Sequence, residues 1–296
     1  MNHKHSRLEK RFHRIARQLT RFDLQKVGRS EEKAISENDI VADLEKHSGS
    51  SLFMGFYTRS GLIEAFQRYG ITKILEDKGF SNLLLHVETD DPFHHVAQLY
   101  GGDKRDPERL LLEMVLHEAV VTSKLDHVKG IYDVIFVEWL CLQNPMAEFE
   151  KRGPRLPGQE KPGLGILAEI VELLIIMTER LGKDGLINVP RYYHTAHKGH
   201  DMGFQFFDPP TEGIFQALKG ACSERPLAEA TWAVELGLVR QTDGSGPYIW
   251  PGEEQVLAIS EKAKRHFASR EYAQLSTNAK ASTKFEVDWE TLQMPS

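Results

Sequence analysis

The chain has 296 residues, is 41% hydrophobic and 27% charged, and carries a net charge of −6. That composition buries a substantial core and argues against a nucleic-acid-binding protein as a whole. Two cysteines, Cys141 and Cys222, are too few for a disulfide framework or a four-thiolate zinc site, and Cys141 sits among apolar strand residues where a thiol is inert.

The charge is uneven: residues 1–30 hold nine Lys/Arg against two acids, which leaves the remainder at −13. Within 5–27, Leu8, Phe12, Ile15, Leu19 and Phe22 recur at helical spacing, predicting one apolar stripe with a basic opposite face. Such a face either stays in water or meets an anionic partner. Residues 28–51 read as a polar linker around a short helix at Glu37–Lys46. No secretory core is visible. The most apolar run, Ile166 to Met177, contains Glu169 and Glu172 and is too short to span a bilayer. A soluble, cytoplasmic protein without a membrane span is expected.

Helices are predicted over 60–70 and 72–78, stopping at Gly79. Strands follow at 83–88, 93–100, 110–118 and 131–142, with Asp90-Asp91-Pro92 and Gly101-Gly102 as turns. The third of these also fits a helix, because Asp106-Pro107-Glu108 is a helix-start pattern. Then comes a Pro/Gly loop, a helix over 166–181, a strand at 185–189 and a helix over 191–202 ending at Gly203-Phe204. Farther on, a helix is expected over 226–239 with its stop at Gly237, then a turn at 242–246, a strand at 256–260 and a charged helix over 261–275. The last ~20 residues read as loosely held. Trp139, Trp232 and Trp250 have apolar neighbours and are expected in the core.

Three readings compete for the loop. Gly158 and Gly163 have the P-loop spacing, but Leu164-Gly165 stands where Lys-Ser/Thr is required. Residues 163–168 fit G-x-G-x-x-A, yet Pro157 and Pro162 precede them in place of a strand, and the next strand ends Asn188-Val189-Pro190 without an acid for a ribose. The third reading uses the helix N-terminus, whose free N–H groups hold a pyrophosphate. A loop that serves only to start the helix stays open beside it.

The run Glu160-Lys161-Pro162-Gly163-Leu164-Gly165, followed by helix, strand, helix and Gly203-Phe204, resembles the GNAT superfamily of N-acetyltransferases over about residues 83–207. The resemblance implies an α+β fold: a central mixed, mostly antiparallel sheet flanked by helices, with helical N- and C-terminal extensions. It divides the chain into 1–51 (basic helix and linker), 52–222 (acyl-CoA-binding domain) and 223–296 (extension). Acetyl-CoA or another acyl-CoA is the implied co-substrate, held by Leu140, Leu142, Gln159, Lys161, Gly163, Leu164 and Gly165. The implied acceptor is the amine of a small molecule or peptide.

Glu138, in the apolar run 135–140, is the candidate base; burial there would raise its pKa toward a useful range. Tyr193, His194 and His197 stand near the place of the family's tyrosine and complete the catalytic set, with His200 a third histidine on the same arc. A metal at that histidine trio, helped by His94-His95, stands against a reading as solvated histidines, and no metal is expected. Glu160 and Gly199 depart from the family pattern, so a GNAT-like binding or regulatory module without catalysis is the alternative.

Overall fold

Thr58 starts the first helix of the central segment: its Oγ1 accepts from Gly61 N at 3.0 Å, and Gly70 closes that helix in the left-handed region. The protein is described by a computed structural model covering residues 3–26, 52–91, 93–125, 130–149, 153–242, 244 and 246–295. The linker and the helix expected at Glu37–Lys46 lie outside the described residues.

Two units can be recognised. The first comprises residues 1–118, 136–145 and 163–181. It holds α1 (His3–Ala16), α2 (Arg21–Leu24), α3 (Arg59–Tyr69), α4 (Ile71–Asp77), β1 (Leu83–Glu88), β2 (His95–Gly101), most of β3 (Leu110–Thr122), the second half of β4 (Ile131–Leu142) and α5 (Leu167–Arg180). Its sheet order is β1-β2-β3-β4. The pairs β1–β2 and β2–β3 are antiparallel, with a bulge at Leu99/Tyr100. The helix alternative for 110–118 is thereby excluded.

Alternation sorts this sheet into two faces. Ala97, Leu99, Leu112, Met114, Leu116 and Val137 are buried. Met114 meets Leu62 and Phe66 of α3 and Ile170 and Leu174 of α5 around a gap of about 30 Å³. The opposite face carries Gln98, whose Nε2 donates to Glu113 Oε1 at 2.6 Å, together with His117 and Glu138.

The N-terminal helix is shorter than the apolar spacing predicts. It stops at Ala16, and the chain restarts at Thr20 with a capping box to Asp23. The break turns Phe22 outward (80% exposed) and buries Leu24 in its place. Phe12 keeps the expected role, packing on Tyr69 at 4.8 Å, and Arg180 Nη2 donates to Ala16 O (2.7 Å) and Leu19 O (3.1 Å).

The second unit comprises residues 119–135, 146–162 and 182–296. Beyond its shares of β3 and β4 it contains β5 (Gly185–Asn188), α6 (Tyr193–Asp201), β6 (Gln205–Phe206), α7 (Pro209–Ala221), α8 (Leu227–Glu235), β7 (Val239–Gln241), β8 (Gly246–Pro247), β9 (Gln255–Ala258), α9 (Glu261–Phe267), α10 (Arg270–Ser282) and β10 (Phe285–Val287). Its larger sheet runs β3-β4-β5-β9-β6, and a smaller one runs β10-β7-β8. Asp184 ties the start of β5 to β4 and to α9: its carboxylate accepts from Asp133 N (3.0 Å) and Ser260 Oγ (2.6 Å).

Four expectations are corrected here. Helix α7 was not anticipated, although Asp208 caps it by accepting from Thr211 N (2.9 Å) and Pro209 opens its first turn. The helix predicted over 261–275 is two, because Ser269 Oγ accepts from Tyr272 N and starts a second. The tail is held: β10 pairs with β7, and Trp289 and Leu292 pack on the core around Phe206, Phe215 and Val239. Trp139 is not core; it is half exposed on β4. No helix among the described residues is long and apolar enough to cross a membrane.

Candidate functional site

In the first unit the end of β4 meets the start of α5. Gly163 bridges Gln143, and Leu164 N donates to Leu142 O at 3.1 Å. Gly165 takes φ +73°, a conformation that suits glycine, and the chain enters α5 at Ile166 with no side chain capping the helix. Ile166 thus places no side-chain cap on the N–H groups of the first turn. The Lys78 ammonium stands 3.8 Å from where a Cβ on Gly165 would be. Among the described residues Lys78 has no carboxylate partner. Glu169 is the one acid of that first turn.

Leu140 and Leu142 share the face of Glu138 by strand alternation. Glu138 is not buried, contrary to the expectation from its apolar neighbours: its side chain is 45% exposed, because it points from the solvated face of the sheet. Two imidazoles flank it. His94 Nε2 lies 3.2 Å and His117 Nδ1 3.5 Å from Glu138 Oε2. His94 Nδ1 is 3.0 Å from Asp91 Oδ2; that hydrogen bond first, and the nearby charges, raise the His94 pKa above its ordinary value. His117 stacks on Phe136 (4.9 Å, 12°). His95 turns the other way, its Nδ1 accepting from Met54 N. His117 was missed in the sequence, since nothing local marks it; the signal is the pairing of β3 with β4, which places a residue beside Glu138.

The remaining candidates belong to the second unit. Gln159 closes its own loop: its Oε1 accepts from Leu156 N (3.1 Å) and its carbonyl from Arg155 Nε. Gly158, at φ +75°, lies against the Tyr192 ring, where a Cβ would come within 2.4 Å. Lys161 is half-buried, Glu160 points to solvent and Pro162 is buried.

Tyr193 is 2% exposed, packed on Phe215 and Trp250, and burial drives its pKa up. His194 stacks on Tyr192, its Nδ1 buried without a hydrogen bond, and burial pulls its pKa down to about 4. His197 Nδ1 lies 3.3 Å from Asp201 Oδ2, and burial, then Lys219, lower its pKa. His200 turns instead to the buried Glu212, at 3.1 Å. The three histidines therefore face three different partners and do not converge on one point.

No protein-family model matches the chain, and no curated protein does. Among solved structures, the toxin AtaT in a mutant form, bound to the C-terminus of the antitoxin AtaR and acetyl-CoA, aligns at 12% identity with TM-score 0.27, over 42% of this chain and 86% of its own. AtaT complexed with acetyl-methionyl-tRNAfMet aligns at 12% identity with TM-score 0.26 and the same coverage. A KacTA–DNA complex aligns at 12% identity with TM-score 0.25, over 55% of this chain and 80% of its own. Overlaps of this size carry no argument for fold or function. The α+β architecture, a mostly antiparallel sheet flanked by helices, rests on the strands and helices themselves.

Proposed function

We propose that this chain is an acyl-CoA-dependent N-acyltransferase, moving an acetyl or other acyl group to a primary amine. The observation that carries the reading is the uncapped N-terminus of α5, joined to the end of β4 at Leu142 and faced by Lys78. First-turn N–H groups beside an ammonium suit a pyrophosphate. Gly163, Leu164 and Gly165 bring the backbone close to it. The strand then leads to the chemistry. Glu138 is four residues from Leu142, about 13 Å along an extended strand, and shares a face of β4 with Leu140 and Leu142 by alternation.

An alkylammonium has a pKa of about 10.4 and must lose a proton before it can attack. Glu138 takes that proton, directly or through a water, and the amine nitrogen adds to the thioester carbonyl. Strand N–H groups hold the charge on oxygen. Collapse breaks the C–S bond, the nitrogen gives up its second proton to the CoA thiolate, and the proton held by Glu138 passes to solvent. The products are an amide, CoA thiol and one proton, with no covalent enzyme intermediate. The step requires no acid from the second unit, where Tyr193, His194 and His197 lie. Acidic Asp90 and Asp91 near His94 complement a cationic acceptor, and the exposed Lys10 and Arg14 of α1, with Arg17 just beyond it, suit an anionic partner.

A second reading, a binding domain without catalysis, is favoured by Glu169, whose carboxylate competes for the same helix start. Calorimetric titration with CoA and acetyl-CoA separates the outcomes. Binding with turnover of an amine supports the enzyme, binding without turnover the module, and no binding of CoA at millimolar concentration overturns both.

A further inference from the structure

His94, His117 and Glu138 do more than surround a proton acceptor. Each offers one ligand atom, and those atoms lie within 4.8 Å of one another, a convergence found nowhere else among the described residues for three His, Cys, Asp or Glu. We propose that these three side chains form a site for a first-row divalent transition metal, with zinc the best fit.

Two of the three ligand separations match a coordination shell. A tetrahedral ion with ligands at about 2.0–2.1 Å places them about 3.3 Å apart. The two contacts to Glu138 Oε2 are 3.2 Å from His94 Nε2 and 3.5 Å from His117 Nδ1. Two imidazole nitrogens and one carboxylate oxygen suit zinc and its neighbours, while magnesium and calcium prefer all-oxygen shells. The ligands come from three separate segments: the residue just before β2, β3 and β4. The sheet holds His117 and Glu138, and the Asp91 carboxylate, bonded to Phe93 N and His94, steadies the turn that carries the third.

Two details point beyond chance proximity. His94 Nδ1 is 3.0 Å from the Asp91 carboxylate, so its proton goes to Asp91 and the Nε2 lone pair is presented to the cluster. Metal-binding histidines are held in this way by a carboxylate behind the ring. His117 Nδ1 is buried and makes no hydrogen bond, leaving its lone pair for an ion. The histidine is fixed in orientation by its stack on Phe136. On the open side His94 and Glu138 are about half exposed, so a fourth position faces solvent. Three protein ligands with one position open is the arrangement of sites that exchange water or substrate.

The experiment uses the full chain, purified without a polyhistidine tag and stripped with a chelator. Zinc chloride is titrated by calorimetry, and cobalt(II) is added in parallel to read ligand-field absorption. One zinc per chain is expected, with visible cobalt bands of low-symmetry coordination. His117→Ala should abolish both signals. Asp91→Asn leaves the three ligands in place and should weaken zinc about 10- to 100-fold through the lost hydrogen bond behind His94. His200→Ala, in the other unit, should change nothing. Circular dichroism of each metal-free variant reports whether it folds. No zinc binding by the folded protein, or equal affinity in folded His117→Ala, overturns the proposal. CoA plays no part in these readouts, so their outcome is independent of the acyltransferase reading.

Discussion

The Leu164 amide donates to the Leu142 carbonyl at 3.1 Å, so the glycine-rich segment adds a rung at the very end of β4. The turn into α5 cannot drift relative to the strand. The helix start is thereby fixed at the end of the strand that carries Glu138, four residues before Leu142.

Lys78 tests the anion end of that relationship. Lys78→Ala is expected to weaken CoA binding by about 10- to 100-fold, the scale of a hydrogen bond to a charged group. The loss should shrink as salt rises, because a screened charge contributes less. Calorimetry at two ionic strengths reads both effects; unchanged affinity at low salt would remove Lys78 from the site.

Glu138→Gln keeps shape and removes the base. The rate of amine acylation should fall by about 10²–10⁴-fold, while the CoA dissociation constant stays put. Steady-state rates and calorimetry on the same preparation check the two halves. Equal turnover in the variant would assign the proton to solvent.

If both proposals hold, zinc bound by Glu138 draws on the negative charge that would take the amine proton. Added zinc is therefore expected to inhibit acyl transfer, with activity restored by a chelator and the inhibition lost in His117→Ala. Initial rates with and without zinc decide it; inhibition that persists undiminished in His117→Ala would place the inhibitory ion elsewhere.

His194 makes the fold acid-sensitive. Its pKa is about 4 in the folded protein because burial disfavours the charged ring, against 6.5 for the free side chain. Between those values the unfolded chain binds a proton that the native state refuses. Its contribution is thus complete above pH 6.5 and is lost as pH falls toward 4. His197 and His266 are shifted in the same direction by burial. Urea unfolding at several pH values should show stability dropping across this window. His194→Gln should flatten the drop by up to about 1.4 kcal/mol per pH unit. An unchanged slope would show that His194 is protonated in the native state.

Gly213 lets α7 and α10 touch. A Cβ there would stand 2.1 Å from Ser276 O and 2.8 Å from the Ala279 Cβ, so the backbones themselves must separate. Gly213→Ala should cost about 1–3 kcal/mol despite alanine's better helix propensity. Thermal unfolding measures it, and a melting temperature at or above the parent's would mean the two helices can shift freely.

Much of the first sheet was legible because alternation and turn residues are local. The strands expected at 83–88 and 131–142 have those bounds in the structure, and 110–118 extends only to Thr122. What escaped was set by pairing. Glu138 was legible as an unusual acid in an apolar strand, but its solvated face depends on which side α5 covers. His117 gains its meaning from the β3–β4 register, to which its own neighbours give no clue. The order of β5, β9 and β6 is equally non-local, since β9 lies about fifty residues beyond β6 and pairs with both. Helix α7 is the exception: Asp208-Pro209 was a local start signal, and the glycines after it obscured the period.

The guanidinium of Arg180 reaches back from the end of α5 to the carbonyls of Ala16 and Leu19, some 160 positions earlier in the chain. Those first residues are therefore a clamp on the helix whose opposite end faces Lys78. A fragment that keeps this packing has to begin ahead of Phe12. A cut at residue 52, which looks harmless in the sequence, would strip the cover from Tyr69 and take two carbonyl acceptors from Arg180.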